Sequence, residues 1–397
     1  MVLITSDIVS NRRTTRAGAT KWVFQLASSA MIAGAILYAG SAAAAGNVVV
    51  YIADQDDDEV YELYRSDIKT STVTKLNDEL TSVGGVWWAE IDPKGKSVVY
   101  MADQDVDDVA EIYKADLKNG GVEKLNAPLP SGGEVDDYEI DPKGKLVIYT
   151  VFEDAEDRTE IFKADLKTSS VAKLNPDFPA GRNVFGFELD PKGSMIVYES
   201  DQEVDNVFEL YRLDLKTGEI AKLNDQLVAG GEIDEFAIDP RGKWVVYLAD
   251  QETENVFELF KSDLHTSSAE RLSPPISGED DIAPGFRIDS TGTRVVYGAY
   301  NNTTNESAVF TADLATSNVV QWSPPQGQDY PASLSALQFD AKGKILYFMA
   351  DDDTNGNYEP WQVDLKTGAS QKLNDTMPPF GSAWFLRVTG SPQPFID

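Results

Sequence analysis

Apolar and polar residues alternate in short bursts along most of this chain, and turn residues interrupt the bursts at regular distances. Val86 to Ile91, Ser97 to Ala102, Val109 to Asp116 and Gly121 to Leu125 each read as a β-strand, by period-two alternation and by enrichment in Val, Ile, Tyr and Phe. Asp92-Pro93-Lys94-Gly95 joins the first of these to the second, because Pro presets the second turn position and Gly supplies the left-handed one. Asp116 to Gly120 closes the third strand onto the fourth in the same manner. After Ala45 no stretch of about 11 residues holds a helical period, so the chain is predicted to be all-β.

The unit repeats. A turn of the Asp-Pro-Lys-Gly type recurs with its Asp at positions 92, 141, 190, 239, 289 and 340, and one of the Asp-Leu-Lys-Thr type with its Asp at 67, 116, 165, 214, 263, 313 and 364. The period is about 49 residues and the second series has seven members. Four antiparallel strands in seven copies predict a seven-bladed β-propeller over residues 46–397. The first copy starts at Asn47 with its second strand and has no first strand, whereas Ala383 to Val388 is an additional first-strand segment near the other end. That last strand is expected to join the first blade, closing the ring and removing exposed sheet edges.

Segments such as Val98-Val99-Tyr100-Met101-Ala102-Asp103-Gln104, Glu209-Leu210-Tyr211-Arg212-Leu213-Asp214-Leu215 and Ile238-Asp239-Pro240-Arg241-Gly242 resemble the TolB-type, WD-like repeat of exported bacterial β-propellers. The resemblance covers residues 47 to 388 and implies a binding platform, or an accessory domain of an enzyme. TolB-like proteins proper are usually described with six blades behind a separate α/β domain. Seven repeats with no room for that domain mean that a Tol-Pal role does not carry over, and fold is implied more firmly than function.

Residues 1–45 differ from the rest. Arg12, Arg13, Arg16 and Lys21 precede a mostly apolar run from Trp22 to Gly40, then Ser41 and alanines ending at Ala45, the order of a secretory signal peptide. Export to the periplasm or the extracellular space is expected, with no stable membrane insertion after cleavage. An uncleaved anchor and a twin-arginine signal are the weaker alternatives, since the run is rich in Ala, Ser and Gly and Thr14-Thr15 follow the arginine pair.

The whole chain carries 66 acids against 34 bases, a formal charge of -32, which argues against nucleic acid and anionic membranes as partners. There is no cysteine, so disulfides, thiolate nucleophiles and Cys-ligated metals are excluded, and a single histidine excludes multi-His sites. His265 takes the place of Lys69, Lys118, Lys167, Lys216 and Lys366 in the turn between third and fourth strands and reads as a surface residue. Neither a Gly-x-Ser-x-Gly elbow nor a Walker-type loop is present.

Propeller geometry places the two Asp-led turns on one face, where lysines balance the acids, and the loops between second and third strands on the other. Those loops carry acids at positions 1, 3, 5 and 9: Asp54, Asp56, Asp58 and Glu62; Asp103, Asp105, Asp107 and Glu111; Asp201, Glu203, Asp205 and Glu209; Asp250, Glu252, Glu254 and Glu258. The seventh has Asp351, Asp353, Asn355, Gly356 and Glu359, the start of a calcium loop. Alternate oxygen ligands suit a hard cation, so calcium is the candidate cofactor. The third and sixth copies open with Phe152 and Tyr300 and lack the pattern. In the other reading these residues form Asx-turns, with Asp108, Asn206 and Asn255 tolerating left-handed geometry and the last acid facing solvent.

A second candidate lies on the first strands, where successive copies carry Glu90, Glu139, Glu188, Ala237, Arg287, Gln338 and Arg387. Pointed at the axis, they make a polarised channel for a small zwitterion or sugar acid; paired with neighbours, they lock the blades together. Trp87 and Trp88 either stack on a sugar or pack between blades. The leading expectation is a non-enzymatic exported module that binds a protein, glycan or surface component. The alternative is a carboxylate- or calcium-dependent hydrolase or lyase with its site at the channel mouth.

Overall fold

In the computed structural model the described residues are 48–81, 84–153, 155–274, 280–301, 306–322, 333–350 and 358–375, all in one compact unit. They form seven antiparallel sheets, one per repeat. The first sheet is β1 (Val48–Ala53), β2 (Glu62–Asp67) and β3 (Thr72–Lys75); the second is β4 (Val86–Ile91), β5 (Ser97–Ala102), β6 (Glu111–Asp116) and β7 (Val122–Lys124). The third is β8 (Gly133–Ile140), β9 (Leu146–Glu153), β10 (Arg158–Asp165) and β11 (Val171–Lys173), and the fourth is β12 (Val184–Leu189), β13 (Met195–Val204), β14 (Val207–Asp214) and β15 (Ile220–Lys222). The fifth is β16 (Ile233–Ile238), β17 (Trp244–Ala249), β18 (Glu258–Asp263) and β19 (Ala269–Arg271). The sixth is β20 (Asp280–Ile282), β21 (Arg287–Ile288), β22 (Arg294–Asn301), β23 (Glu306–Asp313) and β24 (Val319–Trp322). The seventh is β25 (Ser333–Phe339), β26 (Ile345–Ala350), β27 (Glu359–Asp364) and β28 (Ser370–Lys372).

The expected strands agree with β4 and β5 at both ends; the third begins later, at Glu111, because the Asp103 hairpin extends to Ala110. In the sixth sheet the first strand is split into β20 and β21 around Pro284, which has no N–H for the ladder, and Gly285, whose φ is 99°. The first sheet has three strands among the described residues. Its expected fourth, 383–388, and the expected signal peptide, 1–45, lie outside them.

Among the described residues, six of the sheets carry a stacked aromatic pair on two neighbouring strands. Tyr100 and Tyr113, Tyr198 and Tyr211, and Tyr247 and Phe260 stack at 5.4–5.6 Å. Apolar residues of one sheet pack on the next: Val99, Ile112 and Leu125 meet Val135, Tyr138 and Ile140, while Val197 and Leu210 meet Ile233 and Ile238. Burial on both faces explains why the second strands read as unbroken apolar runs such as Val98-Val99-Tyr100.

The Asp-Pro-Lys-Gly turns couple consecutive sheets. Asp92 is buried and accepts hydrogen bonds from the backbone N–H groups of Lys94, Lys96 and Ser97. Gly144, at φ 56°, belongs to the next turn, and a Cβ there would stand 3.1 Å from the Asp92 carboxylate. Lys94 donates through Nζ to the Gly144 carbonyl at 2.7 Å. Gly193 nests in the same way on Asp141, and Gly242 on Asp190.

Candidate binding face

The loop acids at position 1 brace the entry to the first strands. Asp103 accepts from the backbone N–H of Gly85, just before β4, and from that of Asp108 at 3.3 Å. Asp201 accepts from Asn183 at 2.7 Å and Asn206 at 3.2 Å; Asp250 accepts from Glu232 and from Asn255 at 2.8 Å. Asp108, Asn206 and Asn255 all have positive φ, which meets the Asx-turn expectation, and so does Glu59 in the first loop.

Positions 3 and 9 share one base from the fourth strand. Lys75 pairs with Asp56 at 3.0 Å and Glu62 at 2.7 Å, and Lys124 with Asp105 at 2.6 Å and Glu111 at 2.7 Å. Lys222 pairs with Glu203 and Glu209, each at 2.7 Å, and Arg271 with Glu252 at 3.0 Å and Glu258 at 3.1 Å. The position-9 acid is therefore buried, contrary to the expectation that it faces solvent: Glu111 is 5 % exposed and also accepts from the Tyr113 hydroxyl at 2.9 Å. A hydrogen bond from Lys75 holds Asp56 below the usual carboxylate range. The third sheet keeps the buried part of this network, Glu160 with Lys173 at 2.6 Å, and the seventh keeps Glu359 with Lys372. In the sixth sheet both partners change together, to Ala308 and Gln321.

At position 5, Asp107 accepts from Thr81 Oγ1 at 2.8 Å and Asp205 pairs with Arg182 at 2.5 Å, whereas Asp58 is exposed. Among the described residues no three acids converge on one point where an ion could sit. In the second, fourth and fifth sheets the position-1 carboxylates hold backbone N–H groups, and in these three and the first the acids at positions 3 and 9 hold a Lys or Arg, so these donor sets do not fit a calcium centre as they stand. Asp54 is half-buried; Asp351, Asp353 and Asn355 lie outside the described residues.

On the first strands, Glu139 Oε2 accepts from the backbone N–H of Leu189 at 2.9 Å and Glu188 Oε2 from Ile238 at 2.8 Å, each in the following sheet. Burial pushes Glu139 up to about 7 and Glu188 up to about 8. Glu90 is also raised, first by burial and then by the charge of Asp137. Among the described residues no arginine pairs with Glu139 or Glu188. Arg287 instead lies 3.7 Å from Glu235, a residue the sequence reading passed over, and Arg387 is outside the described residues.

At the entry end of these strands a β-bulge pushes out one extra residue: Trp87 in β4, Asp136 in β8, Phe185 in β12 and Asp234 in β16. Trp87 is 47 % exposed, Trp88 42 % and Phe185 39 %, so the two tryptophans do not serve as packing between sheets. Phe185 meets Phe208 edge-on at 4.8 Å. Asp136 is solvent-exposed, while the protein surrounding it raises its carboxyl through desolvation. Beside this rim lies Glu199 of β13, where the second and fifth sheets have the apolar residues Met101 and Leu248. Its side chain makes no hydrogen bond among the described residues, and burial, then the charges of Glu232 and Asp234, push it up to about 8. The fourth-strand lysines were missed from sequence, and of the bulge rim only Trp87 and Trp88 had been singled out; the paired loss at Ala308 and Gln321 was a readable signal for the first. His265 is an exposed turn residue, as expected.

Comparison with solved structures finds the same fold. A putative dipeptidyl aminopeptidase IV from Bacteroides ovatus superposes with a TM-score of 0.54 at 11% identity, over 83% of this chain and 51% of that one. A prolyl endopeptidase gives 0.48 at 17% identity, over 84% and 49%, and TolB from Acinetobacter baumannii gives 0.36 at 14%, over 81% and 78%. This chain spans about half the length of the two peptidases. No family model matches the sequence, and no curated protein matches it. The seven successive antiparallel sheets and the Bacteroides ovatus likeness together make this chain a β-propeller.

Proposed function

We propose that this chain is an exported, non-catalytic binding module that meets a protein, glycan or surface component through the entry rim of its first strands. The observation that carries the reading is the exposure of Trp87, Trp88 and Phe185 at the bulges, beside Asp136 and Asp234. Large exposed aromatics among acids, on a frame that braces or pairs its hairpin acids at positions 3 and 9, are what a recognition surface requires. Calcium at Asp351, Asp353, Asn355 and Glu359 would be a structural addition to this module, leaving the rim unchanged.

Catalysis is the second reading, and the raised carboxyls of Glu139 and Glu188 are what favour it, since a protonated carboxyl near neutrality serves as a general acid. Both are engaged with backbone N–H groups of the next sheet, a structural use. Immobilised protein should retain a component of its own cell envelope, and retention should fall with Trp87→Ala and Phe185→Ala while Asp57→Asn leaves it intact. Product release from a polysaccharide or peptide panel, abolished by Glu139→Gln, would contradict the reading.

A further inference from the structure

We propose that the rim takes a lysine- or arginine-bearing segment of a partner protein, with Trp87, Trp88 and Phe185 stacking on the cationic side chains and Asp136, Glu199 and Asp234 pairing with them. The proposal deepens the binding reading and rests on it. Four consecutive sheets present Trp87, Asp136, Phe185 and Asp234 at one bulge position, so aromatic and acid alternate along an arc. An aromatic face beside a carboxylate holds an ammonium or guanidinium group by its quadrupole and by charge together.

At one end of the arc the Glu199 side chain makes no hydrogen bond or ion pair among the described residues, and the charges acting on it are those of Glu232 and Asp234. Asp234 also lies in the field of Glu235 and Asp281, and the neighbouring base, Arg287, is placed on Glu235. A half-buried carboxyl facing further acids is costly to ionise, and a cation from outside lowers that cost.

Other occupants fit less well. No three described acids are arranged around an ion, and a bare metal would make no use of the aromatics. An acidic glycan would be repelled by a chain of formal charge -32. A neutral sugar could stack on Trp87 and would leave Glu199 unpaired. Several cationic positions along one arc match several side chains of one extended segment better than one small amine.

The test is calorimetric titration of the protein with a ten-residue peptide of alternating lysine and serine, in about 150 mM salt. Trp87→Ala and the pair Asp136→Asn with Asp234→Asn should each weaken binding about tenfold, and free spermine should bind more weakly than the peptide. The control pair Asp57→Asn with Asp58→Asn removes equal charge from exposed positions in the first loop and should change affinity less than about twofold. Equal weakening by both acid pairs would reduce the effect to general electrostatics and overturn the proposal, as would no binding at all. If the peptide fails while envelope retention still depends on Trp87, the binding module stands and its cationic partner falls. If retention is also indifferent to Trp87, both fall.

Discussion

Glu188 keeps a proton into the neutral range because burial among its neighbours makes the charged form costly, and this has a readable consequence. Its folded value, about 8, lies above the ordinary 4.5, so the folded state holds a proton that the unfolded chain releases. Stability therefore falls as pH rises from about 5 to about 8, and the full cost is present above that window. Glu139 and Glu199 act in the same direction. Glu188→Gln keeps an acceptor for Ile238 N–H, and should leave urea stability at pH 4.5 nearly unchanged while raising it by about 1–2 kcal/mol at pH 9. Asp103 is the complementary case, a charged residue well supplied with donors. Asp103→Ala strands the N–H groups of Gly85 and Asp108 and should cost about 2–3 kcal/mol in urea unfolding, with Asp103→Asn milder. The left-handed positions at Asp108, Asn206 and Asn255 were legible because only a few residue types tolerate them. The carboxyl shifts were not, because they arise from burial and then from charges distant in the chain, which only the fold brings together.

A hairpin and its fourth strand form an element whose ion pairs sequence reading did not anticipate. Acids at positions 1, 3, 5 and 9 have the periodicity of a cation loop, but the base that serves positions 3 and 9 comes from across the sheet, on the fourth strand. Lys124 pairs with both Asp105 and Glu111, and its replacement leaves Glu111 buried without its base. Lys124→Met should destabilise the protein by about 2–4 kcal/mol in urea, and Glu111→Gln in the same molecule should recover much of that loss. Recovery absent from the double variant would show that the lysine acts through something other than this pair. Strand boundaries were legible from apolar bursts and Asp-led turns. The bulges were not, since one extra residue in a ladder leaves no compositional mark, and they are what turns Trp87 and Phe185 outward.

Across the whole molecule, seven sheets repeat one set of contacts, and the turns hold each sheet against the next. From Gly144 onward, the Gly of each turn of the Asp-Pro-Lys-Gly type has a positive φ and also leaves room for the carboxylate of the preceding turn. Gly144→Ala places a Cβ 3.1 Å from Asp92 at φ 56° and should cost more than about 1 kcal/mol, whereas Gly120→Ala, with φ 72° and open space, should show the backbone cost alone. The repeat, its period and its fold class were legible because they need only spacing. The rim proposed to meet a partner was legible only at Trp87 and Trp88, because the rest depends on where the bulges fall and on which acids the fold leaves unpaired. The measurement that bears most directly on this division is thermal melting in EDTA, in millimolar calcium and in a salt control, for the protein and for Asp105→Asn. With the loop acids of the first, second, fourth and fifth sheets held by lysine, arginine and backbone, Asp105→Asn should leave the response to calcium unchanged. A calcium-specific rise in melting temperature that Asp105→Asn removes would show that these acids serve an ion instead.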